Sequence, residues 1–383
     1  MGLATVEKWL HQCSRCSSCK YIYKNYNSSC PSGEKFWFET FWASGRVWMA
    51  NALSKGNLKW SDSIIKALFA CPLCGNCSVQ CQQEVSSHLL DIMESLREEA
   101  VKAGVGPLDA HKSFAEGIKS ENNPYKEPHT SRLDWLGGAD LPEKAEVLYF
   151  VGCTSSYRQK KIARATYSVL KKINADFTIS PEEWCCTSPL LRTGQTTAAE
   201  SVVNHNINIT KKIGTKTIIF SCAGCFRTFK EDYSRFLDQD WGIEILHVTE
   251  YLYNLLKDEE LKISKEFPYT VTYHDPCHLG RHVGVYDAPR ELLKAIPGLK
   301  LIEMSRIREN AWCCGAGGGV KSGFKEWAVE IAKERIKEAE KTNAEYLVSS
   351  CPFCHRNLED AIKAKKSGLK MLDITEILNS VIN

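Results

Sequence analysis

Apolar positions along the 383-residue chain change their period partway. Over residues 36–56 (FWFETFWASGRVWMANALSKG), 60–70 (WSDSIIKALFA) and 84–104 (EVSSHLLDIMESLREEAVKAG) they recur at the three-to-four spacing of helices. From residue 119 the chain turns polar and rich in Pro and Gly, which reads as a linker over 119–144. Beyond it the apolar runs shorten to strand length, VLYFV at 147–151 and TIIF at 217–220, and alternate with helical stretches. Strands alternating with helices make parallel βαβ units. No apolar run approaches the roughly 20 residues that a membrane span needs.

The chain after the linker repeats itself. LYFVGCTSSYRQ at 148–159 aligns with VTYHDPCHLGRH at 271–282, and WCCTSPLLRTG at 184–194 with WCCGAGGGVKSG at 312–323. IIFSCAGCFRTFKED at 218–232 aligns with YLVSSCPFCHRNLED at 346–360, and HVTEYLYNLL at 247–256 with DITEILNSVI at 373–382. The expected architecture is α+β and multi-domain. A helical N-terminal domain spans 1–118, and two small α/β lobes with parallel sheets span 145–262 and 263–383, related by a pseudo-two-fold axis.

Composition narrows the class. A net charge of +3 gives no reason to expect nucleic acid, and 43% hydrophobic with 25% charged residues is ordinary globular usage. The segment MGLATVEKWLHQ lacks the basic and apolar regions of a secretory signal. A soluble, cytoplasmic chain is expected, with no direct membrane insertion. Disulfides are disfavoured in that compartment, so the 18 cysteines point to metal.

The cysteines fall into two patterns that account for all of them. Cys71, Cys74, Cys77 and Cys81 match the Cys-x2-Cys-x2-Cys-x3-Cys run of bacterial ferredoxins, with Gln82 where Pro is usual. Cys13, Cys16 and Cys19 repeat the triplet, and Cys30 before Pro31 is its delayed fourth member. In such runs the fourth cysteine serves the other cluster. The expected cubane 4Fe–4S sets are therefore Cys13, Cys16, Cys19 and Cys81, and Cys71, Cys74, Cys77 and Cys30. Zinc sites, the alternative, use pairs rather than triplets. The intervening aromatics Trp37, Phe38, Phe41, Trp42 and Trp48 read as core and cluster insulation. This N-terminal part resembles the helical two-cluster ferredoxin domain of fumarate reductase iron–sulfur subunits.

The second pattern is one five-cysteine set per lobe: Cys153, Cys185, Cys186, Cys222 and Cys225, then Cys277, Cys313, Cys314, Cys351 and Cys354. Because ligands bind at the carboxyl ends of parallel strands, each set should converge at one sheet edge. Five thiolates exceed what zinc or an ordinary cubane takes. These spacings resemble the CCG domain, which in paired form makes the catalytic part of heterodisulfide reductase. With the ferredoxin-like part in front, the chain resembles the D-type family of heterodisulfide reductase subunits. The resemblance implies an enzyme, a disulfide-reducing oxidoreductase of methanogenesis acting within a larger complex. It implies a noncubane 4Fe–4S cluster on each five-cysteine set, with the heterodisulfide of coenzymes M and B split between the two. It also implies an electron-donating partner, either a flavoprotein or a cytochrome b, through which a membrane could be reached. The first Cys-Cys pair is followed by Thr187 where the second keeps Gly315, so zinc stays an alternative at the first set. The competing reading is an electron-transfer protein serving a flavin-dependent 2-hydroxyacid (glycolate or lactate) oxidase or an electron-transferring flavoprotein complex.

Around the second set lie His274, His278, Arg281, His282, Lys321, His355 and Arg356; in the first lobe Arg158, Lys160, Arg192 and Arg227 stand at comparable places. They are candidates for a cationic rim that binds sulfonate, phosphate or carboxylate groups of a thiol substrate, or for surface and capping residues. His274 and His278 are candidate proton donors to a departing thiolate, or hydrogen-bond partners of cluster sulfur. The glycine run GAGGG at 315–319 lacks a nucleotide-loop spacing and is expected to pack closely against a cluster.

Overall fold

The computed structural model describes residues 2–22, 27–237 and 241–383. The N-terminal part is all helical. Helix Leu89–Lys102 turns Leu89, Ile92, Met93, Leu96 and Ala100 to one side, the stripe that a core-facing helix requires. It packs them against Leu3, Val6 and Leu10 of helix Leu3–Leu10 and against Val47, Ala50, Ile65 and Leu68. This core holds the cysteine loops. Cys19 sits in the single turn Ser18–Lys20, and Cys30 caps helix Pro31–Phe36, its sulfur accepting from the Gly33 amide at 3.4 Å. Trp37 and Phe38 differ from the expected insulating role: each is 73% exposed.

Each lobe is built on a four-stranded parallel sheet. In the first, β1 (Val147–Phe150), β2 (Phe177–Thr178), β3 (Thr217–Phe220) and β4 (Glu244–His247) lie in the order β2-β1-β3-β4. In the second, β5 (Thr270–His274), β6 (Lys300–Leu301), β7 (Tyr346–Ser349) and β8 (Lys370–Asp373) repeat it as β6-β5-β7-β8. The central strands of the first lobe, β1 and β3, are covered on both faces and read as continuous apolar runs for that reason. The short edge strands β2 and β6 have too few residues to show a period in sequence. The two repeat endings form matched helix starts: His247 and Asp373 each make a capping box, with Glu250 and Glu376 respectively. Helix Lys160–Lys172 of the first lobe packs on Ile374–Val381 of the second, and Val248–Lys257 on Asp287–Lys294, as a pseudo-two-fold demands. One buried cluster, including Val248, Leu252, Tyr273, Leu292 and Leu378, is shared by both lobes.

Residues 122–136, inside the stretch that composition marks as a linker, pack closely on the first lobe. Trp135 is 3% exposed within its core, Arg132 is buried, and the Asn122 carbonyl takes the Cys185 amide at 2.9 Å.

Candidate functional site

Both lobes deliver cysteines from the carboxyl ends of their central strands. Cys153 follows β1 after Gly152, and Cys222 and Cys225 follow β3. Gly152 has φ +77°, and a Cβ there would stand 2.9 Å from Cys225 Sγ, so only glycine lets these loops approach. The buried Glu183 carboxylate takes the amides of Val151 and Gly152 at 2.8 and 2.9 Å and pairs with Arg132. The Arg132 guanidinium in turn reaches Cys153 Sγ at 3.8 and 3.9 Å. The Cys–Cys loops share a backbone conformation, Thr187 at φ +70° and Gly315 at φ +84°.

The ten thiols of the lobes form one continuous chain. Cys153 neighbours Cys185, which neighbours Cys186; Cys186 reaches Cys225, and Cys225 reaches Cys222. In the second lobe Cys277, Cys313, Cys314, Cys354 and Cys351 follow in the same order. The sets meet where Cys222 adjoins Cys351. Cys313 adjoins Cys74 of the N-terminal part. There, Cys81 feels the charges of Cys16 and Cys13, while Cys77 feels those of Cys71, Cys74, Cys30 and, last, Cys19. All eighteen thiols are free of disulfides. Burial pushes the Cys77 thiol well above the ordinary thiol range. Sulfur donors crowded in fours and fives, and mostly buried, fit iron–sulfur clusters.

Between the lobes and the N-terminal part lies a cavity of about 550 Å³. Every lobe cysteine except Cys313 faces it; Cys313 lies behind the wall, against Cys74. Phe114, Pro124, Pro189 and Phe353 supply apolar walls, and Arg158, Arg192, Lys321, Lys325 and Arg356 supply positive charge. No Asp or Glu is among the described lining residues.

The expected cationic rim divides. Arg158, paired with Glu127 at 2.6 Å, and Arg356 flank the ring of Tyr125, at 4.6 and 5.9 Å from its centroid, and Tyr125 Oη meets Thr154 Oγ1 at 2.9 Å. Lys321 reaches the cavity but is tied to Asn357 and Asp360 at 2.6 and 2.5 Å. Arg192 lines the wall while pairing with Glu94 at 2.5 Å and Asp232 at 2.7 Å. Lys160, Arg227, Arg281, His282 and His355 are not in the lining. Arg227 pairs with Asp232 at 2.7 Å, Arg281 binds the Cys74 carbonyl at 2.6 Å, and His355 lies 3.7 Å from Glu376. Tyr125, Phe114 and Lys325 escape sequence reasoning because no motif marks them; they come from the stretch marked as linker and from helix faces.

The two candidate histidines part company. His274 is outside the lining; Arg335 Nε donates to its Nδ1 at 3.2 Å, and its ring gathers with Cys314 and Cys354, ligand atoms all within 4.8 Å. This is the arrangement of a sulfur partner rather than of a group facing substrate. His278 lines the cavity, and burial pulls it down to about 4, so its ring is neutral at pH 7. The glycine run packs against the N-terminal cysteine loop. A Cβ at Gly317 would stand 2.8 Å from the Pro72 carbonyl oxygen, and one at Gly318 would stand 2.6 Å from that of Cys71. Arg97 ties the same junction, donating to the carbonyls of Cys71 at 2.6 Å and of Arg192 and Gly318 at 2.7 Å each.

The cysteine-rich domain family, CCG, matches residues 147–230 and 271–359. The D-type component of the Methanosarcina mazei dihydromethanophenazine:CoB–CoM heterodisulfide reductase is 42% identical over 313 residues, covering 80% of this chain and 76% of that protein. One component of the Methanothermobacter marburgensis fumarate reductase (CoM/CoB) is 33% identical, over 83% and 62% of the two chains. The Syntrophomonas wolfei EtfAB:quinone oxidoreductase is 31% identical, over 82% and 46%. A Helicobacter pylori hypothetical protein of known crystal structure shares the fold, with TM-score 0.54 at 11% identity over 80% of this chain and 60% of that one. With both five-cysteine sets in place around one cavity and this degree of identity, the chain belongs to the D-type heterodisulfide reductase family of iron–sulfur oxidoreductases.

Proposed function

We propose that the chain reduces a disulfide, of the class CoM-S-S-CoB, to two thiols in the cavity between its lobes. The observation that carries this is one cavity faced by every lobe cysteine except Cys313. Cys13, Cys16, Cys19 and Cys81 would hold one cubane cluster and Cys30, Cys71, Cys74 and Cys77 the other. Each five-cysteine set would hold a noncubane cluster; the shared conformation of Thr187 and Gly315 supports the same kind of site in both lobes over zinc in the first. When bound, the clusters supply single electrons, and a disulfide needs two with two protons to give two thiols.

The chain's own residues do the rest. Arg356 and Lys325, which line the cavity, bind the anionic ends of the substrate, with Arg158 beside them paired to Glu127 at 2.6 Å. Phe114, Phe353 and the prolines exclude water from the sulfur atoms. His278, neutral and with no partner for its Nε2, lines the cavity as a ring whose one N–H can hydrogen-bond a departing thiolate. The contact of Cys74 with Cys313 supports entry of electrons from an electron-donating partner through the second lobe.

The test is Cys314→Ser. Reduction of CoM-S-S-CoB by reduced viologen should be lost while the paramagnetic signals of the N-terminal clusters persist; retained turnover contradicts the reading. The relation to EtfAB:quinone oxidoreductase favours the second reading, electron transfer for a flavoprotein, in which no disulfide is reduced even by the unaltered chain.

A further inference from the structure

Most of the enclosed arginines are matched by carboxylates. Arg132 pairs with Glu183, Arg192 and Arg227 with Asp232, Arg290 with Asp275, and Arg335 with Glu338. Three others have no carboxylate within ion-pair distance among the described residues: Arg46, Arg97 and Arg281. Arg46 and Arg97 are each 1% exposed. Arg46 donates to the carbonyls of Phe41 and Ala67 at 2.7 Å each and to Ser32 Oγ at 3.0 Å. Arg97 donates only to the carbonyls of Leu68, Cys71, Arg192 and Gly318. Glu94, one turn away on the same helix, is engaged by Arg192. Arg281 donates to the carbonyls of Cys74, Glu309 and Ala311, and its buried Nη2 has no partner.

All three border one cysteine set, and Arg281 stands between that set and Cys277 and Cys313 of the second lobe. Arg46 lies in the field of Cys30, Arg97 in that of Cys71, and Arg281 in that of Cys74. Around the other N-terminal set the setting differs: Cys16 is exposed, and the neighbouring Arg15 is an exposed side chain lying over the Trp48 ring at 4.5 Å. Backbone carbonyls satisfy a guanidinium's donors but not its charge, and an uncompensated buried charge is strongly disfavoured. A core held by four thiolates carries net negative charge and becomes more negative on reduction, so fixed cations beside it favour the reduced state.

We propose that Arg46, Arg97 and Arg281 are the fixed counter-charge of the Cys30, Cys71, Cys74 and Cys77 set, holding its cluster at a higher midpoint potential than that of the Cys13, Cys16, Cys19 and Cys81 set. This rests on the iron–sulfur reading above. These are tuning residues, with no contact to substrate. Solvent exposure alone would rank the sets the other way, because water stabilises the more negative state of the exposed cluster. The arginines reverse that order, so electrons arriving at the exposed set pass inward, to the one beside Cys313.

The experiment is a redox titration of the reconstituted full-length protein followed by electron paramagnetic resonance, with the outer signal identified by its change in Cys16→Ser. In the unaltered protein the inner signal should titrate at the higher potential, a comparison that needs no arginine variant. Arg281→Gln should move the inner midpoint down and leave the outer one in place, and Arg281→Lys should restore most of the shift. An inner midpoint at or below the outer one overturns the proposal, as do equal shifts for Gln and Lys. Failure to obtain two N-terminal signals would instead overturn the cluster reading itself.

Discussion

Thr187 and Gly315 hold the same place in their Cys–Cys loops and the same left-handed backbone, yet they are not interchangeable. At Gly315 a Cβ would stand 2.6 Å from the Ala328 carbonyl oxygen and 2.7 Å from Ile331 Cβ, whereas the buried Thr187 side chain has room and donates its hydroxyl to the Cys186 carbonyl at 2.6 Å. A left-handed non-glycine residue costs about 1–2 kcal/mol. Releasing that cost in Thr187→Gly is offset by glycine's own entropy, about 0.5–1 kcal/mol, by the lost methyl burial, about 0.8 kcal/mol, and by the lost hydroxyl bond, about 0.5–1.5 kcal/mol. Thr187→Gly should therefore lower urea stability by no more than about 2 kcal/mol. Gly315→Thr adds overpacking of about 1–3 kcal/mol to the left-handed cost and should be clearly destabilising. Equal effects of the two would contradict this. The departure from the Cys-Cys-Gly pattern is visible in sequence, but the free space that makes it tolerable is not, because helix Lys325–Glu340 packs against the Cys–Cys loop of the second lobe. The buried partners Glu183, Glu94 and Asp232 are equally hidden: each meets residues far along the chain, and charge alone does not say which carboxylate is enclosed.

At the scale of elements, the repeat is what makes the fold legible. Matching strand–cysteine–helix units predict the two parallel sheets and place Cys153, Cys222, Cys277 and Cys351 just after their central strands, where the structure has them. Two features are lost for physical reasons. Edge strands of two residues have no period to read, and the stretch after 119 reads as a linker because the residues it buries on the first lobe, Arg132 and Trp135, stand among Pro, Gly and charged positions without a regular period. The glycine run, expected to pack against a cluster, packs against the loop that carries Cys71. A methyl group at Gly318 would have to displace the Cys71 carbonyl or Pro72 backbone, and Arg97 already fills the neighbouring space. Gly318→Ala should destabilise the chain by about 1–3 kcal/mol and slow reduction of the lobes' clusters by a donor acting at the N-terminal part. Stopped-flow absorbance checks the rate; an unchanged rate would show that this junction does not set the approach of the two regions.

For the whole molecule, three parts converge on one cavity. The N-terminal helices supply Phe114 and the Cys74 contact, the stretch after them supplies Tyr125, and the lobes supply all their cysteines but Cys313 to the wall. No helix among the described residues is long and apolar enough to cross a membrane. The exposed Trp37 and Phe38 show where a sequence pattern misjudges burial: aromatic residues at helical spacing look like core, and only the turn after helix Pro31–Phe36, with Trp37 in the left-handed region, turns them outward. The central claim is that the cavity binds a thiol or disulfide at the paired cysteine sets. Its most direct test is electron paramagnetic resonance of the oxidised, cluster-loaded protein before and after addition of coenzyme M. A thiol-dependent paramagnetic signal that is lost in Cys314→Ser is the expected result; intact clusters with no signal that depends on the thiol would contradict the account.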